Sequence, residues 1–258
     1  MSTPSANVGG VLHPLGKLIG CAVSAADGEI GTIDDFCFDD TAWIVRYFHV
    51  DTGPWLHDRQ ILISPSAVKN ADWNDGRISV AMTKDLIEAG PEIPLGREVS
   101  HQEEVGLVEH FAWMPYWGPA KGAPVTGIGG VSRESNTPVS LPVCERKKTP
   151  DIGPKLRRFS ELVTLGVRTE TGKGGKVIDA IVDTRSWLIG KLVIKRRKWL
   201  LARAVAVALP WIDRVDWDGK HVHVGLTARQ VKAGQGTDLP LRPAADADEP
   251  PERQGRGQ

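Results

Sequence analysis

Two adjacent pairs of aspartates, Asp34-Asp35 and Asp39-Asp40, are the residues of this sequence whose types and spacing come nearest to chemistry. Neighbouring carboxylates can share a proton or hold a metal ion. Yet a shift of 144 positions finds only Asp179 and Asp183, one member of each pair. Asp is also a natural turn residue, because its side chain bonds nearby backbone. The four therefore read as an acidic surface with turn signals before they read as a catalytic dyad. His101-Gln-Glu-Glu104 and Glu109-His110 lack the HExxH and HxxEH arrangements and read as a solvated connecting segment. His221 and His223 would share one face of a strand with no Cys or acidic partner, and His49 and His57 could titrate near neutral pH but nothing places them in a cleft. The run Gly172–Gly175 lacks the Lys-Ser/Thr of a phosphate-binding loop. There is no GxSxG elbow and no Cys nucleophile with a placed His. The chain is accordingly expected to be non-enzymatic, with no catalytic residue, metal site or cofactor.

Residues suited to binding are better represented. Phe111, Trp113, Tyr116 and Trp117 fall within seven positions. Leaving large apolar side chains in water forgoes about 1.5–3 kcal/mol each, so these must dock on a packed body or on a partner. Lys195, Arg196, Arg197 and Lys198 form the densest basic run, placed at an expected hairpin tip where they could contact phosphate or an acidic protein surface. Nucleic-acid binding calls for a wider basic stripe with stacking aromatics, so it is not expected. The formal charge of zero conceals an asymmetry: residues 1–100 carry 7 Lys/Arg against 14 Asp/Glu, and residues 155–240 carry 17 against 8. Opposite fields attract and orient. The acidic part is expected to face the basic one, within one chain or across a homodimer.

These residues need elements to position them, and the sequence repeats the elements. At the offset of 144, Gly28 pairs with Gly172, Gly31 with Gly175, Trp43 with Trp187, Trp55 with Trp199 and Trp73 with Trp217. Trp is rare, so three Trp pairs in one register indicate a duplication. Each copy of about 80 residues alternates β-branched runs with Gly, Asp, Asn and Pro turns, the signature of an all-β fold with short helices. In the first copy the predicted strands are 18–25, 32–39, 43–50, 60–64 and 77–82, and Thr83 caps a short helix over 84–89. Closure of each copy into a small antiparallel barrel would remove exposed edges.

The hydrophobic fraction of 41% and the charged fraction of 25% are those of a globular chain. Residues 1–10 lack the basic start and apolar core of a signal peptide, and the apolar stretch 200–212 is too short to span a membrane. With Cys21, Cys37 and Cys144 widely spaced, reduced thiols and a cytoplasmic location are expected. Contact with a membrane surface is left open.

The run from Ile19 through Asp27-Gly-Glu-Ile-Gly31, Asp34-Asp-Phe and Phe38-Asp-Asp-Thr-Ala-Trp43 resembles the first half of a PRC-barrel domain. Val45–Gly53, Trp55-Leu, Ile61–Pro65 and Met82-Thr-Lys-Asp continue it, and residues 155–240 resemble it more loosely. The resemblance implies two PRC-type barrels joined by a Pro/Gly/aromatic linker. The expected layout is an N-terminal arm (1–13), a first barrel (14–94), a linker (95–154) with its aromatic segment at 111–118, a divergent second barrel (155–240) and a disordered tail (241–258). The family is similar in fold to the cytoplasmic domain of the photosynthetic reaction-centre H subunit and to one domain of a ribosome maturation factor. It implies a protein-interaction or scaffold role, with a reaction-centre-associated electron-transfer assembly factor, or an RNA- or ribosome-associated factor using the basic copy, as alternatives.

Overall fold

The computed structural model describes residues 11–56, 59–73, 75–93, 98–117, 155–195 and 204–232. Its first half runs β1 (Leu12–Pro14), α1 (Leu15–Leu18), β2 (Ala22–Ala25), β3 (Gly28–Asp39), β4 (Ile44–Asp51), β5 (Gln60–Ile63), β6 (Val68–Asp72), β7 (Arg77–Val80) and α2 (Lys84–Glu88). A longer helix, α3 (His101–Phe111), follows. The second half runs β8 (Leu156–Arg158), α4 (Phe159–Leu162), β9 (Gly166–Thr169), β10 (Gly172–Asp183), β11 (Leu188–Lys195), β12 (Val205–Ala208), β13 (Ile212–Asp216), β14 (His221–Val224) and α5 (Ala228–Lys232). No helix among the described residues is long and apolar enough to cross a membrane.

The long hairpins β3–β4 and β10–β11 organise each half. Both contain β-bulges, and β3 and β10 begin with paired glycines at positive φ. At Gly31 the requirement is strict, because a Cβ there would stand 2.0 Å from the Asp51 carbonyl oxygen. Thr83 caps α2 by accepting the Leu86 N–H.

The all-β fold with short helices is as expected, but two separate closed barrels are not shown. The fourteen strands among the described residues share one hydrogen-bonded sheet, and its path from β13 to β6 does not close. The reason lies in short arms that leave their own half. β1 pairs with β10, matching Leu12, His13 and Pro14 with Asp183, Val182 and Ile181. β8 pairs with β3, matching Leu156, Arg157 and Arg158 with Asp39, Phe38 and Cys37. Between the arms β4 meets β11 at Ile44 and Leu188. Val45 N–H donates to the Trp187 carbonyl (2.9 Å) and Ile189 N–H to the Trp43 carbonyl (2.8 Å). Each of these contacts has its counterpart 144 positions along the chain. The core follows the sheet: Phe36, Phe38 and Phe48 share one buried cluster with Val182, Ile189 and Leu192. Burying one such side chain contributes about 1.5–3 kcal/mol, so the seam is part of the packed interior.

Other local differences have identifiable causes. The strand expected over 18–25 begins at Ala22, since Leu15–Leu18 forms a helical turn with Leu15 and Leu18 buried. Trp43 and Trp187 lie in left-handed turns at φ 57° and 59°, before their strands begin. The segment 95–154, expected as a linker, contains α3. Ser100 and Glu103 form a reciprocal capping box at its start, satisfying N-terminal N–H groups. The expected tail (241–258) and most of the linker lie outside the described residues.

Candidate functional site

The four candidate aspartates lie along the seam. Asp35 and Asp39 are 2% exposed, so they do not belong to an acidic surface. Asp35 accepts the Ser160 backbone N–H (3.1 Å), the Ser160 hydroxyl (2.6 Å) and Arg158 Nε (2.8 Å). Desolvation leaves a buried carboxylate dependent on such donors, and here they come from the incoming arm of the other half. Asp179, its counterpart, accepts the N–H of Gly16 (3.0 Å). Asp39 caps the turn after β3, accepting the Thr41 and Ala42 N–H groups (both 2.9 Å), and pairs with Arg46 at 2.9 Å. Asp40 holds Arg157 (3.4 Å) and accepts the Lys155 N–H (3.2 Å). Asp34 is half-exposed, bonded by Gln60 and 3.8 Å from Arg158. Asp34, Asp35 and Asp40 thus hold the incoming arm, while Asp39 holds its own turn.

The aromatic segment docks on the first half. The face of α3 formed by Glu104, Leu107 and Phe111 turns inward, in the spacing of an amphipathic helix. Leu107 joins Cys37, Tyr47, Leu62, Ile93 and Leu156 in a second buried cluster on the outer face of β3, β4 and β5. Phe111 and Trp113 stack with centroids 4.5 Å apart, and Trp113 lies 6.3 Å from Tyr47. Trp117 packs edge-on against His101 at 4.7 Å. The Tyr116 hydroxyl donates to Glu104 (2.8 Å), while the Arg46 guanidinium sits 3.9 Å above the Tyr116 ring.

Glu104 is 3% exposed, and burial raises its pKa despite the hydrogen bonds of Tyr116 and Tyr47 and the charges of His101 and Arg46. Burial likewise pushes both tyrosines upward, with the Glu104 charge adding to it. Cys37 is pushed up to about 12 by burial and the Asp35 charge, which keeps it a thiol and a poor nucleophile. His49 is lowered by burial and the Arg158 charge.

Two clefts border this region. One, of about 330 Å³, is lined by Arg46, Tyr116, Trp113, Met114, Arg185 and Trp187, and Met114 at its edge is 84% exposed. The other, of about 390 Å³, is lined by Cys37, His49, Glu98, Leu156 and Arg158. A guanidinium flanked by indole and phenol rings can receive an acidic or planar side chain.

Of the repeat positions, Trp187 packs edge-on against Phe48 (4.7 Å) and Trp73 (5.6 Å), crossing the seam. Trp43 stacks on Phe38 (5.5 Å), and Trp217 lies 6.1 Å from Phe38 under Arg157. Trp55 packs beside the core beneath the Lys84 ammonium. Gly28, Gly31, Gly172 and Gly175 all take positive φ. Lys195 ends β11; Arg196, Arg197, Lys198 and Trp199 lie outside the described residues. Sequence reasoning missed the arms and Arg46, and it read His101–Glu104 as a solvated connecting segment, whereas these residues open α3 and Glu104 is buried under it. Only the Ser100-x-x-Glu103 signature was there to announce α3.

Residues 13–87 match the family described as PRC-barrel domain, so the first half contains a domain of that family. No curated protein matches the sequence.

Proposed function

We propose that this chain is a non-catalytic protein-interaction and scaffold module, in which a second, divergent PRC-type barrel in residues 155–240 arose by duplication and is clasped to the first. The observation that carries the reading is the reciprocity of the seam. Gly16 reaches Asp179 as Ser160 reaches Asp35, and β1 joins β10 as β8 joins β3. A duplicated module whose arms cross in both directions behaves as a dimer written into one chain. Three of the four carboxylates that looked most like chemistry, Asp34, Asp35 and Asp40, are engaged in that clasp. What is left for function is the outer surface of a stiff body, which suits assembly.

Full-length tagged protein recovered from its own cells after chemical crosslinking is expected to carry one protein partner in stoichiometric amount. Recovery of the bare chain, together with turnover in a substrate panel, contradicts the reading.

A further inference from the structure

The two halves treat one surface differently. In the first half the outer face of β3, β4 and β5 is covered by α3, so Cys37, Tyr47 and Leu62 are each 2% exposed and Leu156 is 5% exposed. The matching positions in the second half are Ile181, Lys191, Ala206 and Leu12. Among the described residues no helix covers them. Leu12 is 61% exposed, and Ile181, Val193 and Ala206 are half-buried on the face of a sheet that is otherwise packed.

Lys191, directly opposite Ile181, interrupts this strip, and one edge of it is also basic. Lys176 and Lys195 stand directly opposite each other across β10 and β11, both exposed, where the first half has Thr32 opposite Asp51. Like charges opposed across strands repel, and a bound carboxylate would relieve them. The surrounding residues 155–240 carry nine more basic than acidic side chains.

We propose that the outer face of β10, β11 and β12 is a seat for an acidic amphipathic helix of a partner protein, laid as α3 lies on the first half. This rests on the interaction reading above and names the partner's chemistry. The molecule supplies the template. α3 presents Glu104, Leu107, Val108 and Phe111 at positions i, i+3, i+4 and i+7, and it carries three glutamates and no Lys or Arg. Apolar side chains of such a helix would cover Leu12, Ile181 and Val193, while its carboxylates meet Lys176 and Lys195.

The test uses the full chain and a synthetic peptide copying residues 98–114. The expected result is saturable binding, weakened at least tenfold by Lys176→Glu with Lys195→Glu, weakened likewise by Ile181→Asp, and lost when Leu107 and Phe111 of the peptide are both replaced by Asp. The lysine pair is exposed, so that variant keeps its fold if Ile181→Asp does not. No binding, or binding indifferent to the lysine pair, overturns the proposal. So does a tenfold gain on deleting residues 241–258, which would make the chain's own tail the occupant, or self-association abolished by the lysine variant, which would make it a second copy. None of these outcomes bears on whether a partner is recovered from cells, so the two readings fail separately.

Discussion

Position 156 in the second half and position 12 in the first are counterparts in register, yet one is 5% exposed and the other 61%. Both lie on arms that cross the seam, Leu156 against β3 and Leu12 against β10. The seam treats the halves alike and their outer surfaces do not. Among the described residues the difference is helix α3, which covers the first half and has no equivalent on the second. Symmetry thus accounts for what holds the molecule together, and its breaking marks where the molecule has surface to offer.

The widest split is expected at those two leucines. Leu156→Ala empties a packed site beneath α3 and is expected to cost about 2–5 kcal/mol, whereas Leu12→Ala should stay within about 0.5 kcal/mol, both read from urea unfolding. Equal losses would mean that the second half is covered as well as the first. A smaller split is expected at the paired carboxylates. Asp35→Ala strands Arg158 and the Ser160 donors and should cost about 2–3 kcal/mol, the partial exposure of Arg158 moderating the loss. Asp179→Ala removes a bond to Gly16 and should cost about 1 kcal/mol.

The smallest effect concerns the latch between α3 and the first half, which has no counterpart in the second among the described residues. Burial raises the Glu104 pKa above its ordinary 4.5, so the folded state favours the protonated acid. Its contribution is complete below about pH 4.5 and falls as pH rises through the raised value. The melting temperature of Glu104→Gln relative to the native chain should therefore climb over that interval. A difference independent of pH would remove Glu104 as the titrating group.

The strands, the Thr83 cap and the 144-residue register were legible because they follow from local pattern and rare residues. The crossing of the arms was not. Leu12-His-Pro14 and Leu156-Arg-Arg158 are three-residue segments without periodicity, and only their partners, far away in sequence, make them strands. Asp35 and Asp39 looked like surface for the same reason: a carboxylate's burial depends on donors arriving from elsewhere, here Arg158, Ser160 and Arg46. The need of the aromatic cluster for a dry surface was visible, but the surface itself, Tyr47 and the cluster around Leu107, was not.

The clasp can be tested most directly at its centre, where Ile44 and Leu188 oppose each other. The flanking bonds from Val45 and Ile189 make them a pair without mutual hydrogen bonds, whose Cα atoms approach to about 4.5 Å, within disulfide range. Mild oxidation of the Ile44→Cys, Leu188→Cys double variant should yield a 44–188 disulfide within one chain, seen by peptide mapping with no change in particle mass. Failure of that link to form, or its formation only between chains, would contradict the clasped pair.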